Sequence, residues 1–156
     1  MALTGCGKTA AEKQREADGV NNENVAALNA TKSLTDDWNA KNERWLVAIN
    51  NDKQSSAQIY RKAIKVAKSM KVDADEFETA AADLTPGRFK TYVQKISELW
   101  QAQYGLIITI TEHLRDDDVS GANAASDELT TLAKRENEIR KQVQDMAPGD
   151  STSNGN

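Results

Sequence analysis

The chain has 156 residues, 28% of them charged, with one cysteine, one histidine, two prolines and a net charge of −4. That length holds one domain with a modest core, and a charge-rich, aromatic-poor composition suits long helices better than sheets. Basic residues scattered among acids exclude a nucleic-acid surface, the lone cysteine excludes an internal disulfide or a thiolate metal cage, and no stretch reaches the roughly 18–20 apolar residues of a membrane span.

The chain opens with Leu3-Thr4-Gly5-Cys6. An apolar residue, two small residues able to lie extended, and a thiol free to accept a diacylglyceryl group resemble the cleavage site of a bacterial lipoprotein. The resemblance implies lipid on Cys6, a place on the extracytoplasmic face of a bacterial membrane, and a basic-then-apolar segment encoded ahead of Leu3. It implies nothing about activity. Some small lipoproteins of this kind are envelope adaptors, and some prophage-encoded ones exclude other phages. Thr4-Gly5-Cys6-Gly7-Lys8-Thr9 also echoes the end of a phosphate-binding loop, but Ala2 stands where the first glycine of that motif belongs.

Residues 1–23 read as this lipidation signal followed by a flexible tether. The polar stretch from Gly7 to Asn24 would span about 25 Å as a coil. Residues 24–148 then carry apolar positions at alternating steps of three and four, the mark of helix faces. Leu28, Leu34, Trp38, Trp45 and Ile49 predict a helix from about Asn24 to Asn50, with gaps in its stripe at Thr31 and Asn42. After the turn signal Asn50-Asn51-Asp52, Ile59, Ala63, Val66, Met70, Asp73, Phe77, Ala80 and Leu84 predict a second helix from about Ser55 to Leu84.

The third helix is the clearest. Phe89, Val93, Ile96, Trp100, Gln103, Ile107, Ile110 and Leu114 form its stripe, Thr85 reads as its N-cap and Pro86 as its first residue. It should stop near Arg115, before Asp116-Asp117-Asp118. The fourth follows Ala125, Leu129, Leu132, Glu136, Ile139, Val143 and Met146 as far as Pro148-Gly149. Residues 149–156 have no apolar side chain to bury and read as a disordered tail.

If the last two helices form an antiparallel hairpin turning near Val119-Ser120, their stripe positions pair at equal distances from the turn: Ile110 with Leu129, Ile107 with Leu132, Trp100 with Ile139. Gln103 and Glu136, the polar exceptions in each stripe, then fall in one layer. Such a layer fixes helix register, or holds a polar ligand between helices. The whole reads as an all-α, up-down-up-down four-helix bundle with long antiparallel helices, about 40–45 Å in length; a first helix continuous through Asn50 would instead give a longer three-helix shape.

No ligand set for a metal, haem or other cofactor is visible. His113 stands without a second histidine or a nucleophile to serve, and Trp38, Trp45 and Trp100 belong to apolar stripes as core residues. The expected function is therefore non-enzymatic: a lipid-anchored envelope protein that meets the membrane through Cys6 and acts by contact with another envelope protein. The alternative is a small-molecule sensor using the Gln103/Glu136 layer. A roomy cavity beside that layer would favour the sensor, and a tightly packed layer with exposed apolar surface would favour the adaptor.

Overall fold

The computed structural model describes residues 7–51 and 53–146. Among these residues the structure is entirely helical: α1 Ala10–Ala17, α2 Asn22–Ala30, α3 Lys32–Ile49, α4 Ser56–Ala82, α5 Arg88–Arg115 and α6 Val119–Met146. Helices α2 to α6 pack on one another, with α3 along α4, α4 along α5 and α5 along α6. The backbones of α3 and α6 do not pack closely. Pro148-Gly149 and the expected tail lie outside the described residues, as does the Leu3-Cys6 tetrapeptide.

The core is built from the stripes. Phe89, Val93, Ile96, Trp100, Ile107 and Ile110 of α5 are buried, and they meet Ala63, Ala67, Met70 and Phe77 of α4 and Ala125, Ile139 and Val143 of α6. Trp38 and Trp45 of α3 complete it. Trp38 stacks on Trp100 at 4.6 Å with the rings inclined by 12°, and Phe77 lies 4.6 Å from the same indole. Trp100 is thus enclosed by aromatic rings from two neighbouring helices, an arrangement that adds to the area it buries.

Two helix starts differ from the sequence expectation. The helix expected from Asn24 to Asn50 is divided at Thr31, whose N–H and hydroxyl both donate to the Leu28 carbonyl, at 3.0 and 2.6 Å. A residue bonded three positions back by both groups tightens the chain, and α3 begins afresh beyond it. Thr31 is the first gap in the apolar stripe.

Helix α5 begins at Arg88, not at Pro86, because Thr85 is engaged elsewhere. Its N–H donates to Asn24 Oδ1 at 2.8 Å, and its carbonyl accepts from Asn24 Nδ2 at 3.2 Å. Asn24 Nδ2 also donates to the Gly19 carbonyl at 2.7 Å, so this buried amide is fully used. The cap of α5 is supplied by the backbone: Phe89 N–H donates to the Asp18 carbonyl at 2.8 Å. A Cβ on Gly87, whose φ is +154°, would stand 2.6 Å from that carbonyl oxygen, so only glycine permits the approach.

Asp18 to Asn24 is therefore clasped to the α4–α5 turn, and the packed body extends to Asp18. Ahead of it, in the stretch read as tether, α1 is exposed along its whole length. A reciprocal cap holds it: Glu12 N–H donates to Thr9 Oγ1 at 3.2 Å and Thr9 N–H to Glu12 Oε2 at 2.6 Å.

Replacing Asn24 with alanine should open the clasp, cost about 1–3 kcal/mol, and speed hydrogen exchange at the Phe89 amide ahead of the α5–α6 core. Unchanged protection at Phe89 would show that Asn24 does not hold the segment. The hydrogen bonds from Thr9 hold the Glu12 carboxyl below its ordinary value of 4.5. The cap is thus complete above that value and is lost as pH falls through the lowered one. Amide shifts of Ala10 to Glu12 should move towards coil on acidification below pH 4.5 and stay still in Glu12→Gln.

Candidate functional site

The structure brings Gln103 of α5 and Glu136 of α6 together: Gln103 Nε2 donates to Glu136 Oε2 at 2.7 Å, with both residues buried. Two further donors converge on the same carboxylate. Trp100 Nε1–H reaches Oε1 at 2.9 Å, and Arg140 Nε–H reaches Oε1 at 2.6 Å. Arg140 lies one turn beyond Glu136 on α6, and its guanidinium also covers the face of Trp100, 5.7 Å from the ring centroid. The layer is a hub in which an indole, a carboxamide and a guanidinium share one carboxylate.

Arg140 and the Trp100 indole were not assigned to this layer from sequence. The spacing of Glu136 and Arg140, four residues apart on one helix, carried that signal. A second, part-buried pair was also missed: Lys41 Nζ of α3 donates to both oxygens of the buried Asp73 on α4, at 2.6 and 2.8 Å, where Asp73 sits inside an apolar stripe. A third tie joins α3 to α5, with Trp45 Nε1 donating to Thr111 Oγ1 at 2.9 Å and that hydroxyl donating in turn to the Ile107 carbonyl at 2.7 Å.

His113 is half-buried near the end of α5, with Nδ1 2.8 Å from Asp118 Oδ2, and nothing in that contact offers it a substrate or nucleophile. On the outer faces, Lys71 and Gln101 bond to Asp75 and hold its carboxyl below the usual carboxylate range. Among the described residues no three histidine, cysteine, aspartate or glutamate side chains are grouped to hold a metal, and no helix is long and apolar enough to cross a membrane. Cys6 lies outside the described residues.

A cleft of about 940 Å³, lined in part by Arg140, lies between the α2–α3 segment and α6. The carboxylate of the layer is therefore closed by its own partners, and one of those partners, Arg140, lines the open space. No protein-family model matches the chain, and no curated protein or solved structure matches it.

Because Glu136 serves three donors, removing it strands more than Gln103. Glu136→Leu should cost about 3–5 kcal/mol in urea unfolding, against about 1–3 kcal/mol for Gln103→Leu. The double Leu variant should be no worse than Glu136→Leu alone. Strictly additive costs would show that the two side chains do not share a bond in solution.

Proposed function

We propose that this chain is a lipid-anchored, extracytoplasmic helical module that acts by contact with an envelope protein and carries out no catalysis. In this reading α3 to α6 form an up-down-up-down four-helix bundle, with α1 and α2 as an N-terminal extension. Cys6 carries the lipid, and the membrane is met through it.

The observation that supports this most is the clasp of Asp18 to Asn24 on the α4–α5 turn. A chain attached to lipid at Cys6 and fastened again at Asp18 holds one end of the body towards the membrane. Between those points lie only Gly7 to Ala17, whose α1 helix spans about 12 Å at 1.5 Å per residue. The opposite end, with the α3–α4 loop and the α5–α6 turn, then faces away. Its surface includes Val47 and Val119, which are 72% and 62% exposed, beside Leu46. Apolar side chains held at the far end of an anchored body form a contact surface of the kind protein partners cover. The closed Gln103/Glu136 layer favours a structural role for that pair.

Expression of the gene with its own upstream sequence tests the anchor. Wild-type protein should sediment with membranes and Cys6→Ser should be released, whereas equal retention of both would reject the lipid. A photo-crosslinking residue at Val47 should trap an envelope protein, and one at Glu23 should not. Equal yields from the two positions would remove the orientation argued here.

A further inference from the structure

The cleft beside Arg140 exists because α3 and α6 stay apart. Its apolar lining comes from Val20 and Leu28 on one side and Ile96 and Val143 on the other. Arg15, Lys32 and Arg140 also line it, against the single acid Asp36. Lys32 is paired with Asp36 at 2.7 Å on the exposed surface and Arg140 with Glu136 at 2.6 Å, so the cleft retains the single excess positive charge of Arg15.

Arg140 is held on two sides. Glu136 fixes its Nε and Trp100 lies under its guanidinium face. Yet its Nη2 is shielded from solvent and has no hydrogen-bond partner among the described residues. A buried donor without an acceptor is costly, and because Arg140 lines the cleft, a small shift of its guanidinium towards that space would let the sealed Nη2 donate to an oxyanion. A volume of about 940 Å³ falls in the range of small-ligand pockets.

We propose that this cleft binds a small amphiphilic oxyanion, a carboxylate or phosphate on an apolar body, with Arg140 as the anion anchor and Leu28, Ile96 and Val143 against the apolar part. The site does not depend on the anchor at Cys6 or on the partner proposed above. A soluble organic acid and a membrane lipid both supply this chemistry, and the test separates them.

The full chain carrying Cys6→Ser, which removes any attached lipid, is titrated with decanoate, decanol and inorganic phosphate, with tryptophan fluorescence as the readout. In parallel it is floated with phosphatidylcholine vesicles with and without phosphatidylglycerol. Decanoate should bind more tightly than decanol or phosphate, and Arg140→Lys, which keeps a cation beside Glu136, should weaken decanoate about tenfold without changing decanol. Leu28→Trp, which fills the cleft without touching the hub, should abolish binding of both. Saturation by free decanoate assigns a soluble ligand. Flotation that requires phosphatidylglycerol and is lost in Arg140→Lys, without a decanoate response, assigns a lipid. Helical circular dichroism of each variant identifies any loss of fold, and Leu28→Trp serves where Arg140→Lys unfolds. Equal affinity for decanoate and decanol, binding indifferent to both substitutions, or no binding in any arm would overturn the proposal.

Discussion

The Glu136 carboxylate is the interaction on which the arrangement of α3, α5 and α6 depends. It sits 9% exposed between the apolar stripes of α5 and α6, a position that is strongly unfavourable for a charged group unless its oxygens are occupied. Gln103, Trp100 and Arg140 occupy them. Gln103 and Trp100, both on α5, can reach the carboxylate in only one register of α5 against α6, because a shift by a turn would carry Gln103 about 5.4 Å away, whereas Arg140 reaches it along α6 itself. The Trp100 indole passes the constraint onward: its N–H is directed at Glu136, which orients the ring whose face Trp38 of α3 covers. A polar bond between two helices thus fixes an aromatic stack that positions a third.

The same device recurs at the other interfaces. Lys41 and Asp73 join α3 to α4, and Trp45 and Thr111 join α3 to α5. Apolar stripes alone would tolerate sliding, since Leu, Ile and Val residues at helical spacing repeat along every helix and can pack in several registers. Directional bonds between buried groups make the sliding states costly, because each leaves donors or acceptors unpaired. The clasp at Asn24 does for the N-terminal segment what these ties do for the long helices, with the backbone of Asp18 capping α5 where no side chain does.

The existence of α4, α5 and α6 and the α5–α6 register were legible in the sequence because they depend on local periodicity and on one coincidence, two polar exceptions at equal distance from a turn. Helix α1, exposed and with no apolar stripe to bury, was not, and formed within the stretch read as tether. Nor was the start of α5. Thr85 and Pro86 carry the local signals of a helix N-terminus, and a contact from Asn24, distant in sequence, takes the Thr85 backbone first. Likewise Thr31 marked the division of the first long helix only as a gap in a stripe, since a gap does not say whether the backbone bends. Asp73 was read as one of the stripe's regular members. Its partner Lys41 follows only from the packing of α3 on α4, which the pattern of either helix alone does not contain.

The hub and the cleft have a common origin in the size of the side chains that α3 turns inward. Trp38 and Trp45 reach α5 directly, one by stacking on Trp100 and the other by donating to Thr111. Contacts made through whole indoles hold α3 over α5 without requiring its backbone to approach α6. Small residues at these two positions would draw the helix inward, as Ala63, Ala67 and Ala74 allow on α4. Truncating either indole would also cost on the order of 3–5 kcal/mol, so the gap is not a defect that packing could close at little expense. It is the geometric consequence of placing two of the three indoles of the core on the helix that borders it, and it leaves Arg140 lining the open space.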